Sequence, residues 1–164
     1  EIIFSLVVHD NDDKFEIGKS KIVKQTDKDV LTIVTSGINL HQAISASEEL
    51  AKEGINVRVV DLFSVKPIDV ETLTKCGTET GGKILTIDDH YLEVESMDIP
   101  SIEWFRNANM LIVGAVCAGL SETPIKIYGL AVNSIPSGNG TTKEVLDKFN
   151  LSASKIATFA KTLL

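Results

Sequence analysis

Residues 30–63, VLTIVTSGINLHQAISASEELAKEGINVRVVDLF, decide the fold of this chain. The stretch opens and closes with short β-branched apolar runs, VLTIVTSG and NVRVVDLF, which are typical of strands buried on both faces of a parallel sheet. Between them, apolar residues recur every three or four positions, so the pattern predicts an amphipathic helix. Asn39 can cap the start of this helix and Gly54 can end it, which completes a β-α-β unit.

The alternation of strands and helices continues along the chain. Pro67 suits the first turn of a second helix, which we expect to reach Gly77. Apolar runs predict two further strands at residues 83–87 and 125–132. We therefore predict a three-layer α/β fold, in which a mostly parallel sheet carries helices on both faces.

Two capping signals mark helices near the C terminus. Thr141 and Glu144 have the spacing of a capping box, which predicts a short helix after them. Ser152 can cap a last helix, whose apolar residues repeat at three or four positions and give it one buried face.

Composition excludes several classes of function. The net charge of −7 would repel a phosphate backbone, so we expect no nucleic acid partner. The longest uncharged apolar run, residues 110–120, is far shorter than the roughly 20 residues that a membrane span needs. Cys76 and Cys117 are too far apart for a metal knuckle and are interpreted as reduced, packed thiols, as expected of a cytoplasmic protein.

Candidate functional residues lie where predicted strands end, because ligands of open parallel sheets bind outside the carboxyl ends of the strands. Ser36 and Gly37 precede a helix and could present backbone amides to a phosphate. The full glycine-rich signal is absent, however, so an ordinary strand-to-helix turn is the favoured interpretation. Ser64 follows the second strand of the β-α-β unit and merits the same inspection.

Asp88, Asp89 and His90 follow the strand at residues 83–87 and could form an acid-base pair or part of a metal site. Neighbouring residues of a strand point to opposite faces, so we expect the three not to converge unless the strand bends. An interface, structural or regulatory role is the favoured alternative. No complete catalytic constellation can be assembled, and we predict no catalytic, cofactor-binding or metal-binding residue.

Trp104 and Phe105 could anchor a partner surface. A tryptophan packed in the core of its own domain is the commoner explanation and stays the alternative.

Three separated stretches of the chain resemble the C-terminal domain of transketolases, in particular those of animals. They are VRVVDLFSVKPID at residues 57–69, GKILTIDDHY at 82–91 and GLAVNSIP at 129–136. The resemblance begins near residue 15 and reaches the last residue, with one interruption. It implies that residues 1–20 are the tail of a preceding domain and its linker, and that residues 21–164 form the C-terminal domain. The first residue, Glu1, is consistent with a cut inside a longer protein.

The resemblance implies a homodimeric enzyme that uses thiamine diphosphate with Mg²⁺ or Ca²⁺ to transfer a two-carbon ketol unit between sugar phosphates. In that family the cofactor contacts come from the preceding domains. We therefore expect this fragment to bind no cofactor, to be inactive alone, and to serve assembly with the remaining domains of its polypeptide, or regulation.

The interruption covers residues 94–113, where the family has a glycine-rich turn that opens a helix. The segment could be an insertion, a splice variant or an error in the gene model, and we expect it to protrude near the carboxyl edge of the sheet or to pack irregularly. Two alternatives remain: the equivalent domain of deoxyxylulose-phosphate synthase or of a 2-oxoacid dehydrogenase β subunit, and a free-standing regulatory nucleotide-binding module.

Overall fold

A computed structural model describes residues 8–91, 111–132 and 140–164 of the chain. The described residues form five strands: β1 (Lys21–Lys24), β2 (Asp29–Thr35), β3 (Asn56–Asp61), β4 (Lys83–Tyr91) and β5 (Lys126–Val132). They also form five helices: α1 (Ile38–Lys52), α2 (Val70–Glu79), α3 (Leu111–Gly119), α4 (Thr142–Lys148) and α5 (Ala153–Thr162).

The five strands form one sheet in the order β1-β3-β2-β4-β5. All neighbours pair in parallel except β1, which runs antiparallel to β3 at one edge. Successive side chains of a strand point to opposite faces, so β2 sends Leu31 and Ile33 to one apolar core and Val34 to the other. Helices α1, α4 and α5 cover the first core, and α2 and α3 cover the second. The predicted three-layer fold is confirmed.

The β-α-β unit was predicted correctly apart from its cap. Gly54 has a φ of 80° just after α1, as expected of a residue that ends a helix. Gly37, rather than Asn39, is the N-cap residue, and no side chain caps the helix. Asn39 lies inside the first turn and is buried, so the prediction that it caps α1 was wrong.

The prediction that Pro67 begins a helix was also wrong. The peptide bond before Pro67 is cis, and α2 starts three residues later with Asp69 as its N-cap. The side chain of Asp69 accepts a hydrogen bond from the backbone of Thr72 at 3.1 Å. Helix α2 ends at Glu79 rather than at Gly77 because Gly77 packs inside it against the sheet.

Helices α4 and α5 begin where the sequence predicted. Thr141 and Glu144 form the full capping box, in which each side chain bonds the backbone of the other residue. Ser152 is the N-cap of α5, but its hydroxyl donates to Asp147 at 2.8 Å instead of accepting from the helix.

Candidate functional site

Two neighbouring strands bring the predicted site residues to the same edge of the sheet. Strands β2 and β4 pair in parallel, and the hydroxyl of Thr35 at the end of β2 donates to the carbonyl oxygen of Ile87 at 2.8 Å. Helix α1 follows β2 on one face of the sheet, whereas α3 follows β4 on the other face. The carboxyl ends of β2 and β4 therefore flank the point where the direction of the connections changes, which is where open sheets bind ligands.

At the end of β2, Ser36 is half-buried and Gly37 is exposed. Gly37 has a φ of 59°, and a Cβ atom there would meet no other atom within 4 Å. Backbone conformation rather than crowding thus favours glycine at this position. Asn39, the second residue of α1, is only 1% exposed and its Oδ1 has no hydrogen-bond partner. The interpretation of residues 36–39 as an ordinary strand-to-helix turn, with anion binding as its alternative, stays a prediction.

At the end of β4, Asp88 is buried and ties two elements together. Its Oδ2 accepts a hydrogen bond of 2.8 Å from the backbone amide of Ile112 in the first turn of α3. Its Oδ1 accepts from the backbone amide and the ring of His90. A buried carboxylate at a helix N terminus satisfies amides that have no partner within the helix. The geometry therefore gives Asp88 a structural part at the start of α3.

Asp88, Asp89 and His90 converge, and the bend that the sequence analysis required for this is present. One ligand atom from each lies within 4.8 Å of the others. Nδ1 of His90 is 2.7 Å from Asp88 Oδ1 and 3.3 Å from Asp89 Oδ1. The pairing register of β4 with β5 shifts between Ile87 and Tyr91, and this irregularity supplies the bend.

The contact with Asp88 favours the protonated, charged form of His90. The hydrogen bond to Asp88 raises the pKa of the His90 imidazole, and the neighbouring charge of Asp89 adds to that rise. His90 and Asp89 are both exposed, so their interaction is weakened by solvent.

These three residues do not fit the Mg²⁺ or Ca²⁺ that the resemblance implies for the whole enzyme. Mg²⁺ and Ca²⁺ prefer sets of oxygen ligands, whereas this group offers an imidazole and two carboxylates. Both oxygens of Asp88 already accept hydrogen bonds from the protein.

Ser64, the third inspected position, holds the chain together. Its hydroxyl donates to the carbonyl oxygen of Pro67 at 2.9 Å and accepts from the amide of Gly18 at 2.8 Å. The same corner contains Asp69, whose Oδ2 accepts from the amide and the hydroxyl of Ser20. Both contacts bind the segment before β1 to the loop after β3.

A second buried carboxylate, Asp61 at the end of β3, was missed by sequence reasoning. It is 5% exposed, and its Oδ2 lies 2.8 Å from Nε2 of His9. Burial raises the pKa of Asp61, and the hydrogen bond from His9 opposes that rise. Asp13 forms ion pairs with His9 and with Lys21 of β1. No spacing motif links these residues, because they are 52 positions apart along the chain.

The two thiols are packed and unpaired, as predicted. Cys76 is buried between α2 and the sheet, and Cys117 on α3 is half-buried. Burial raises the pKa of Cys117 to about 11, so this thiol stays protonated near neutral pH.

A groove of about 960 Å³ lies apart from all predicted site residues. It runs between α1 and the start of α4 and α5, and its lining includes His41, Glu48 and Lys143. Oε1 of Gln42 accepts from the amide of Ala153 at 3.1 Å and so joins the two walls.

The described helices were also compared with the dimensions of a bilayer. Within residues 8–91, 111–132 and 140–164, none combines the length and apolar character that a membrane-spanning helix needs.

Comparison with known proteins assigns the family. A family model described as the C-terminal domain of transketolase matches residues 18–96. Residues 18–96 belong to the transketolase C-terminal domain family. Residues 94–110, which include Trp104 and Phe105, lie outside the described residues, so their predicted position and roles stay predictions. Residues 111–113 begin α3, and Ile112 and Val113 are buried there, so these two residues do not protrude.

Relatives named as transketolases extend over nearly the whole chain. Transketolase-like protein 1 of Mus musculus is 35% identical over 159 residues, which are 96% of this chain and 24% of that protein. Transketolase of Homo sapiens is 32% identical over 158 residues, which are 96% of this chain and 23% of that protein. This transketolase domain thus spans about a quarter of the length of the relatives it matches.

Solved structures support the same family and fold. A structure titled split gene transketolase, inactive beta4 tetramer, superposes with a TM-score of 0.75 at 30% identity. It covers 96% of this chain and 45% of that chain. Transketolase of Campylobacter jejuni superposes with a TM-score of 0.57 at 15% identity, which shows the fold alone, over 88% of this chain and 18% of that one.

Proposed function

We propose that this domain works as the C-terminal part of an enzyme that transfers two-carbon ketol units between sugar phosphates. The relatives named transketolase carry this proposal, because they match 96% of the chain. When bound, thiamine diphosphate with Mg²⁺ or Ca²⁺ supplies the carbanion chemistry, and the preceding domains of the polypeptide hold that cofactor.

The proposed contribution of this domain is assembly of a homodimer rather than catalysis. The polar groups at the carboxyl edge bond to one another and to helix ends, which supports a structural rather than a catalytic part for them; the homodimer itself rests on the resemblance to transketolases. Asp88 holds the start of α3, Ser64 holds the loop after β3, and Asp69 caps α2. A related chain of a split gene transketolase is titled an inactive tetramer, which agrees with such a division of labour.

The proposal is tested by assaying ketol transfer with added thiamine diphosphate and Mg²⁺. The full-length polypeptide that contains this chain should convert a ketose phosphate and an aldose phosphate, and the 164-residue chain should show no turnover. Turnover by the isolated chain would overturn the proposed division of labour. Absence of turnover in a folded, cofactor-loaded full-length protein would overturn the proposed reaction.

A second pair of samples tests the atypical segment. The full-length protein is compared with a variant that lacks residues 94–113, and equal turnover would show that the segment is dispensable for the reaction.

We also propose a cytoplasmic location, supported by two cysteines that form no disulfide in the described residues.

A further inference from the structure

The segment before β1 lies along the loop that connects β3 with α2. The ring of Phe15 packs edge-on against Phe63, with centroids 4.9 Å apart. Farther along, Gly18 meets both Ser64 and the ring of Pro67, where an added Cβ would lie 3.2 Å from Pro67 Cγ. These contacts place residues 15–20 beside residues 63–71 as two adjacent strips.

Both strips expose apolar side chains on the same corner of the domain. Ile17 is 86% exposed, Phe15 is 55% exposed and Val70 is 41% exposed. Pro67, which lies beside Gly18, is exposed as well. We call these four residues, Phe15, Ile17, Pro67 and Val70, the linker face. Isolated exposed apolar residues are normal on a protein surface, but a contiguous group marks an interaction site.

The linker face is held in place by polar contacts beneath it. Asp69 binds the amide and hydroxyl of Ser20 at 2.9 and 3.0 Å, and Lys19 lies 3.7 Å from Glu71. His9 adds a contact with the buried Asp61 at the start of the same segment. A surface that is already ordered loses less conformational entropy when a partner binds to it.

We infer that the linker face is the docking site for the preceding, N-terminal part of the same polypeptide. This inference rests on the proposed function, because it requires the longer protein. The chain matches only 21–24% of the length of its transketolase-like relatives, and the matched family model is a C-terminal domain, so the remainder of such a protein precedes it. That remainder joins this domain through the segment before β1, whose residues 15–20 form one strip of the face.

The other large apolar side chains that are exposed among the described residues stand elsewhere. Val30 is 43% exposed near the amino end of β2, the opposite edge of the sheet, and Leu164 is the last residue. Val30 therefore provides a matched control: an exposed aliphatic side chain on the same domain but outside the linker face.

Hydroxyl-radical labelling, read by mass spectrometry, tests the inference on two samples. The isolated 164-residue chain and the full-length polypeptide are labelled under the same conditions, and ketol transfer by the full-length protein is assayed in parallel. Labelling of Phe15, Ile17 and Val70 should fall severalfold in the full-length protein, whereas labelling of Val30 should be equal in both. Equal labelling of the linker face in both samples would overturn the inference, even if the full-length protein transfers ketol groups.

An Ile17→Asp substitution gives an independent reading. Because Ile17 is 86% exposed, the variant should leave the Tm of the isolated chain unchanged but lower the Tm of this domain in the full-length protein. Val30→Asp should have the same effect in both contexts. No difference between contexts for Ile17→Asp would contradict docking.

A second copy of this chain is the competing occupant. Two results together would show that the face joins two copies and that the inference is wrong. Labelling of the linker face in the isolated chain would fall as the concentration of the chain rises, and labelling in the full-length protein would rise as its dimer dissociates. Protection of the face in a full-length protein without ketol transfer would instead reject the proposed reaction and leave the docking site standing.

Discussion

Replacing Asp69 with alanine should destabilise the domain more than any other single change at this corner, because this carboxylate has two separable tasks. Oδ1 caps α2 by accepting from Thr72, and Oδ2 accepts the amide and hydroxyl of Ser20. Loss of an N-cap costs about 1 kcal/mol. The two bonds to Ser20 contribute about 2 kcal/mol together, since Ser20 is half-buried and water partly replaces them.

The sum for Asp69→Ala is therefore about 3 kcal/mol, which corresponds to a fall in Tm of roughly 6–12 °C for a domain of this size. Asp69→Asn separates the two tasks, because its carbonyl oxygen keeps the cap while its amide group cannot accept from Ser20. That variant should lose about 2 kcal/mol. Urea unfolding followed by circular dichroism measures both values.

Glu71→Ala is the control, since Glu71 lies in the same helical turn but is exposed and only weakly paired with Lys19. It should cost less than about 1 kcal/mol. If Asp69→Ala costs no more than this control, the contacts of Asp69 do not stabilise the domain. If Asp69→Asn is as stable as the wild type, only the cap matters.

Three further outcomes follow from the structure. The pKa of His90 is raised above 6.5 in the folded domain. The stabilising contribution of His90 is therefore complete below pH 6.5 and is lost as the pH rises through the pKa of the folded state. The midpoints of urea unfolding at pH 6 and pH 8 should differ less in His90→Gln than in the wild type. Gly77→Ala would place a Cβ atom 2.8 Å from Cδ1 of Ile125, and a net loss of about 1–2 kcal/mol should remain after the gain in helix propensity. Adding Ile125→Val, which removes that methyl group, should restore most of the loss, and a double-mutant cycle measures it. Thr141→Ala should cost about 1 kcal/mol in the same unfolding assay, and no change would show that the capping box contributes nothing.

The central strands could be predicted because burial on both faces leaves a continuous β-branched run in the sequence. Strand β1, KIVK at Lys21–Lys24, was missed. It is short, half-buried at the edge of the sheet, and has a lysine at each end, so it carries no comparable signal. Its antiparallel pairing with β3 depends on residues almost 40 positions away.

The candidate site was predictable in its location but not in its contacts. The rule for parallel sheets placed Ser36 and Asp88 at the carboxyl edge, where both lie. The bend that brings Asp89 and His90 together arises from a register shift between two strands, which local sequence does not encode. Asp69 followed by Thr72 did carry a capping signal, but the assignment of Pro67 to the helix obscured it.

The bond between Asp88 and the amide of Ile112 has a consequence for how this protein can change over generations. It joins the end of β4 to the start of α3, because Oδ2 of Asp88 lies 2.8 Å from the amide nitrogen of Ile112. The entropy of closing a loop grows slowly with its length, by about 0.6 kcal/mol for each doubling. A gene encoding this domain can therefore gain or lose codons between these two anchors while the sheet on either side keeps its register.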